Sequence, residues 1–318
     1  MTELFVVRVG RKAMAALDIV ELDLLPAEDR ALPAFRAGAH IDVEVRPGML
    51  RQYSLCNDPA ETHRYQIAVL REPNSRGGSI AVHEELGEGR LIRIGAPRNR
   101  FPLVPAKRSL LFAGGIGVTP LLSMAEQLAR DAAAFEMHYC TRSPERTAFA
   151  ARIAALPRAG QVWIHHDDGP PEQRLHLQHV LPAPHEETHL YVCGPRGFID
   201  WVRDTARAAG WGSAQIHVEH FSGAGPQADD ASFDVRLART GATLAVPAGR
   251  SVAAVLHEHG ISLPVSCEQG VCGTCLTRVI AGEPDHRDSY LTDEERCRND
   301  QFLPCCSRSR SACLVLDL

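Results

Sequence analysis

Three cysteines, Cys267, Cys272 and Cys275, stand within S-C-E-Q-G-V-C-G-T-C, and two more, Cys305 and Cys306, are adjacent in F-L-P-C-C-S. Thiols packed this closely bind a metal ion, form a redox dithiol or hold an iron–sulfur cluster. Zinc sites usually pair one C-x2-C with a second short-spaced pair, whereas here the fourth partner stands alone and the first gap is four residues. A dithiol of Cys272 and Cys275 leaves Cys267 and the intervening glycines unexplained. The spacing C-x4-C-x2-C with a distant fourth cysteine suits a [2Fe-2S] cluster, and Cys305 completes it after 29 intervening residues. Gly270 and Gly273 let backbone N–H groups approach the sulfurs. Cys306 and Cys313 fall outside the set and read as small buried hydrophobes. Neighbouring side chains in a strand or turn point apart, so one of Cys305 and Cys306 is expected to reach the cluster.

The elements around the loop must hold it. F-D-V-R-L-A-R-T-G-A-T-L-A-V alternates as a hairpin, S-V-A-A-V-L-H-E-H-G has helical spacing ending in Gly260, and S-A-C-L-V-L-D-L reads as a closing strand. This is an α+β, β-grasp pattern. Residues 232–318 resemble the plant-type ferredoxin family, which implies Cys267, Cys272, Cys275 and Cys305 as the ligands.

The chain has 318 residues, enough for two or three domains. It is 45% hydrophobic and 23% charged, an ordinary globular composition without a membrane-length apolar run. A net charge of -5 and the lack of a basic, aromatic-interleaved stripe give no reason to propose nucleic acid. The N-terminal run reads as a first strand and not a signal peptide, so a cytoplasmic protein is expected. Ten cysteines in such a chain suit reduced thiols or metal ligands.

A single-electron carrier needs a donor. R-S-L-L-F-A-G-G-I-G-V-T-P-L-L-S reads as a strand, a glycine turn and a helix with Thr119 as N-cap and Pro120 at its first position. Such an N-terminus suits a pyrophosphate, although no third glycine completes the usual dinucleotide fingerprint. Strands and helices then alternate through Y-V-C-G-P-R-G-F to I-H-V-E-H-F, predicting an α/β domain with a parallel sheet. The glycine turns at Gly115, Gly117 and at Cys193, Gly194, Pro195 belong at carboxyl ends of its strands, where such sheets bind ligands.

Residues 1 to about 103 read as short strands of a small antiparallel barrel. Within it, R-Q-Y-S-L supplies Arg51, Tyr53 and Ser54, and R-G-G-S supplies Gly77 and Gly78 with Ser79 opening a helix. A cation, an aromatic face and a helix N-terminus together suit a flavin nucleotide. Tyr53 alone would read as a core aromatic.

R-x-Y-S, G-G-x-G-x-T-P and C-G-P in this order resemble the ferredoxin reductase superfamily. With the C-terminal cysteine domain, the whole chain resembles the phthalate dioxygenase reductase family, which includes vanillate demethylase reductase components. The resemblance implies a multidomain protein: a flavin barrel over 1–103, an NAD domain over 104–224 and a ferredoxin domain over 232–318. It implies an NADH-dependent reductase, a monomer, that passes electrons through FMN and the cluster to a Rieske-type aromatic oxygenase. It assigns Arg51, Tyr53, Ser54, Ala68 and Val69 to the flavin, and Gly77, Gly78 and Ser79 to its phosphate. Thr119 comes near the ring and Phe221 covers it. Gly115, Gly117, Cys193, Gly194 and Pro195 line the dinucleotide crevice, with Thr141 and Arg142 at the adenosine end. Arg142 stands where an acidic residue would hold a ribose hydroxyl, and an arginine can take a 2′-phosphate, so NADPH stays open beside NADH.

Other patterns read as structure. H-E-E-T-H at 185–189 matches a metalloprotease motif that works only on a helix, and prolines precede it. H-H-D-D at 165–168 reads as the end of a strand. The acidic run G-E-P-D-H-R-D-S-Y-L-T-D-E-E reads as a solvated face, with docking of a basic partner as its functional alternative. Two rival functions remain open at this point: a reductase serving a small molecule such as a quinone, and a redox sensor.

Overall fold

The computed structural model describes residues 4–28, 31–73, 75, 77–156, 160–221, 223, 225 and 227–318. The chain divides into two compact units, Met1–Glu219 and His220–Leu318.

The first unit begins with β1 (Leu4–Ala16), β2 (Ile19–Pro26), β3 (Ala39–Arg46), β4 (Met49–Ser54) and β5 (Tyr65–Leu70), followed by α1 (Gly78–Glu85), β6 (Leu91–Gly95) and β7 (Arg98–Asn99). Alternation along the strands turns Val7, Val9, Leu22, Leu24, Ile41 and Val43 into one core. The sheet runs β4-β3-β6-β1-β2-β5, and a bridge between Leu55 and Ile67 joins its ends into a barrel. The strands are not all short: β1 extends over 13 residues, with irregular register at Val9/Arg11 and Met14/Ala16. Such bulges let a long strand bend around a barrel.

The same unit continues with β8 (Arg108–Gly114), α2 (Val118–Arg130), β9 (Ala134–Thr141), α3 (Ala150–Ala154) and β10 (Gly160–His166). Then come α4 (Leu177–Val180), β11 (Thr188–Cys193), α5 (Arg196–Ala208) and β12 (Ile216–Glu219). All strands of this sheet are parallel, in the order β10-β9-β8-β11-β12. Leu110, Leu111, Phe112 and Ala113 of β8 are all buried, as a central parallel strand covered on both faces requires. Arg152 ties this sheet's α3 to the barrel, pairing with Glu126 and donating to the Cys56 carbonyl at 2.8 Å.

The second unit contains β13 (Phe233–Leu237), β14 (Thr243–Val246), α6 (Val252–Glu258), β15 (Thr277–Ala281), β16 (Pro284–Asp285), α7 (Asp293–Arg298), β17 (Gln301–Phe302), β18 (Arg308–Ser309) and β19 (Cys313–Leu316). β13 pairs antiparallel with β14 and parallel with β19, and α6 packs Val252, Val255 and Leu256 onto them. Ser251 caps α6 by accepting from the Ala254 N–H at 3.2 Å. The stretch after Phe221 is fastened to this unit: Asp230 pairs with Arg287 at 2.6 Å and with buried Arg308 at 3.2 Å. Ser222, Ala224 and Pro226 lie outside the described residues.

His185 is exposed in a loop, and His189 is already on β11, so the H-E-E-T-H stretch is no helix. His165 and His166 end β10; His165 meets His138 at 3.1 Å and His166 meets Thr141 at 3.0 Å, on opposite sides of the strand.

Candidate functional site

Barrel pairing places the flavin-motif residues in register: Val43 faces Arg51, Ile41 faces Tyr53 and His40 faces Ser54. Tyr53 is half-buried against the barrel core, and burial raises its phenol pKa above the ordinary range. Arg51 lies beside the start of α1, where a Cβ on Gly78 would come 2.6 Å from its Nε. Gly77 holds φ +94 as N-cap, so a side chain there would be strained. The helix starts at Gly78, one residue before Ser79, with no side-chain cap and no acid in its first turn. A guanidinium beside an uncapped helix N-terminus is a phosphate cradle in charge and shape. Ser79 Oγ accepts from the Glu72 N–H at 3.2 Å, a bond that leaves its hydroxyl proton to donate. Ala68 and Val69 are buried on β5, and the Val69 carbonyl meets His83 Nε2 at 2.9 Å.

The two glycine turns meet at the carboxyl ends of adjacent strands β8 and β11. A Cβ on Gly117 would collide with the Cys193 carbonyl, and one on Gly194 would come 2.9 Å from the Gly114 Cα. Pro195 is the N-cap of α5, and Gly115 holds φ +54. The expectation for Thr119 needs correcting: Gly117 is the N-cap of α2, and Thr119 is its second residue. The Thr119 hydroxyl is buried and donates to the Ile116 carbonyl at 3.1 Å, because the preceding tight turn at Gly115–Gly117 brings that carbonyl within reach. Thr141 is buried at the end of β9, bonding Thr147 at 2.8 Å, while Arg142 is exposed.

Sequence spacing did not single out Glu219. Its carboxylate lies 3.5 Å from Ser54 Oγ and 4.0 Å from Cys193 Sγ, between the R-x-Y-S strand and the C-G-P turn. The residue keeps some exposed surface, but its carboxyl is enclosed, and desolvation pushes its pKa up to about 8. Burial also drives the Cys193 thiol well above its ordinary range. The available signal was an acid at the end of the strand I-H-V-E, on the parallel sheet next to C-G-P.

In the second unit the four cysteines are buried, Cys267 beside Cys272 and Cys275 beside Cys305. No three His, Cys, Asp or Glu side chains converge on one point among the described residues. Within each pair the shared proton leaves one sulfur favoured as thiolate, so Cys272 and Cys305 fall below the usual thiol range. Backbone N–H groups of Gln269 and Thr274 donate to Cys267 at 3.3 Å and to Cys272 at 3.4 Å. Gly270 and Gly273 hold φ +72 and +74, and a Cβ on either would collide with Cys306 or with the Tyr290 ring. Four buried cysteines, backbone donors aimed at two of their sulfurs and a loop bent at glycines fit a two-iron cluster. Cys306 is buried as expected, and its thiol donates to the Leu303 carbonyl at 3.8 Å within the turn that also carries Cys305. Cys313 is partly exposed on β19. Phe221, the second residue of this unit, is half-buried.

Residues 235–310 match the family described as 2Fe-2S iron-sulfur cluster binding domain, and residues 111–204 match the oxidoreductase NAD-binding domain. The vanillate O-demethylase oxidoreductase of Pseudomonas sp. (strain HR199 / DSM 7063) is 53% identical over 96% of this chain and 97% of its own. The phthalate dioxygenase reductase of Burkholderia cepacia is 42% identical over 98% of this chain and 96% of its own. A solved phthalate dioxygenase reductase, described as a modular structure for electron transfer from pyridine nucleotides to [2Fe-2S], superposes with TM-score 0.78. It is 41% identical and covers 99% of this chain and 98% of its own. A barrel, a parallel-sheet nucleotide fold and a β-grasp cysteine loop in one chain define an iron–sulfur flavoprotein oxidoreductase. The chain belongs to the phthalate dioxygenase reductase family of oxygenase reductases. As a member it is an oxidoreductase with an NAD-binding domain and a [2Fe-2S] cluster binding domain, and its relatives are reductase components of oxygenase systems. No helix among the described residues is long and apolar enough to cross a membrane.

Proposed function

We propose that this chain is the monomeric, cytoplasmic electron supplier of a Rieske-type aromatic oxygenase, with flavin, NAD and ferredoxin domains at 1–103, 104–224 and 232–318. The observation that carries the reading is the meeting of Ser54, Cys193 and Glu219 beside the paired glycine turns. FMN, when bound, takes two electrons as hydride and gives them up singly, and the cluster carries one.

In this reading Arg51, Gly77, Gly78 and Ser79 hold the flavin phosphate, while Tyr53, Ser54, Ala68 and Val69 flank the ring. Thr119 approaches it from α2. Gly115, Gly117, Gly194 and Pro195 admit the NADH pyrophosphate, Cys193 borders the nicotinamide, and Thr141 and Arg142 take the adenosine end. Cys267, Cys272, Cys275 and Cys305 hold the cluster. Phe221 covers the ring until nicotinamide displaces it, so Phe221→Ala binds nicotinamide no more weakly and produces peroxide from NADH faster. A large fall in melting temperature with unchanged peroxide yield would instead make Phe221 a packing residue.

Relatives at 53% identity are vanillate O-demethylase oxidoreductases, which makes an aromatic O-demethylase the first partner to test. The purified chain, NADH and such an oxygenase should convert vanillate and release formaldehyde, and Cys305→Ser should stop it. Quinone reduction by the chain, with no oxygenase turnover, would overturn the reading.

A further inference from the structure

The acidic run 282–295, expected to be a solvated face, contains one acidic residue that is buried. Asp288 is 5% exposed and its side chain is wholly enclosed. One carboxylate oxygen accepts from the backbone N–H groups of Tyr290 at 3.0 Å and Leu291 at 2.8 Å. The other accepts from the Ser307 hydroxyl at 3.3 Å, and Arg296 donates to the Asp288 carbonyl at 2.6 Å. Burial alone would raise its pKa, but His286, Arg296 and the two backbone donors hold it below the ordinary value, so it is a carboxylate.

The turn that this carboxylate closes lies against the cysteine loop. The Ser289 N–H donates to the Gly270 carbonyl at 2.9 Å, and a Cβ on Gly270 would come 3.2 Å from that of Asp288. Tyr290 occupies the space a side chain on Gly273 would need. Leu291 packs with Cys275, Leu303, Cys305 and Cys306. Both glycine bends of the loop thus rest on residues whose backbone Asp288 fixes, and Ser307 links the same carboxylate to the turn carrying Cys305.

We propose that Asp288 is a positioning residue for the iron–sulfur cluster, bracing the Cys267–Cys275 loop and the Cys305 turn against each other in the geometry the ligands need. This rests on the assignment of the four cysteines as ligands. Removing an outer partner of a metal site commonly weakens metal retention by about 10–100-fold.

The test uses the full-length, cluster-loaded protein under anaerobic conditions, with an iron chelator as the probe. Asp288→Ala should lose iron at least about ten-fold faster than the parent, and the NADH-reduced cluster should show displaced g-values in electron paramagnetic resonance. Asp288→Asn, whose amide oxygen still accepts from the backbone, should fall between the two. Bleaching of the flavin by NADH should be unchanged in both. Parent-like iron loss and g-values in both variants would overturn the proposal, as would a lowered melting temperature with an unmoved spectrum. Where Asp288→Ala assembles no cluster, Asp288→Asn decides by the same two readings. A parent protein without a cluster signal would refute the ligand assignment itself, and so be told apart from failure of the Asp288 proposal.

Discussion

A carboxyl enclosed between Ser54 and Cys193 keeps its proton at neutral pH, because desolvation pushes the Glu219 pKa up to about 8. The folded protein then holds a proton that the unfolded chain releases near the ordinary glutamate value. Stability from this residue is full below that value and is lost as pH rises through about 8. Glu219→Gln should flatten that part of the stability profile and remove any limb near pH 8 from the rate of flavin reduction by NADH. A stopped-flow pH series on both proteins checks this, and an unchanged limb in the variant would contradict it. At Cys306 the thiol donates to the Leu303 carbonyl at 3.8 Å and lies 3.7 Å from the Ser307 hydroxyl. Cys306→Ser should keep both the reduced-cluster signal in electron paramagnetic resonance and the bleaching of the flavin by NADH, and loss of the cluster signal would contradict this. The cysteine cluster stood out in the sequence because a cluster demands fixed spacing, here of Cys267, Cys272 and Cys275 along one loop. Glu219 and Asp288 did not, since their significance comes from residues 165 and 19 positions away that only folding brings into contact.

The elements were read best where period and punctuation agree. β8 with its glycine turn, α6 with Ser251 and Gly260, and the β13–β14 hairpin stand where alternation and turn residues put them. The start of α2 was misplaced because threonine before proline is a strong capping signal, whereas the tight turn Gly115–Gly117 leads straight into the helix and makes Gly117 the N-cap. The segment H-R-D-S-Y lies on no regular period, so the burial of Asp288 within it could not be seen. Gly117 supports a prediction at this scale. A methyl group there meets the Cys193 backbone, and overpacking of this kind costs about 1–3 kcal/mol. Gly117→Ala should weaken NADH binding by about ten-fold or more while FMN content holds, since 1.4 kcal/mol is about a factor of ten. Titration calorimetry with a nicotinamide nucleotide measures it.

At the scale of the whole molecule, the protein combines two kinds of chemistry in two compact units. The first brings Arg51 beside a helix N-terminus and paired glycine turns into one barrel-and-sheet body, and the second gathers buried cysteines around a loop bent at glycines. This division was partly visible in the sequence as a change from apolar parallel-strand runs to the short alternating strands after residue 232. The grouping of barrel and nucleotide sheet into one unit was not, because contacts such as that of Arg152 with Cys56 cross 96 positions of sequence. The central claim is that NADH electrons cross FMN and reach the cysteine loop singly. It is tested most directly by anaerobic NADH titration of the purified protein and its Cys305→Ser variant, followed by visible spectra and electron paramagnetic resonance, with acid release of the flavin. The account predicts about one FMN per chain, flavin bleaching in both proteins, and a reduced-cluster signal in the parent alone. Recovery of FAD, or a full cluster signal in Cys305→Ser, would contradict it.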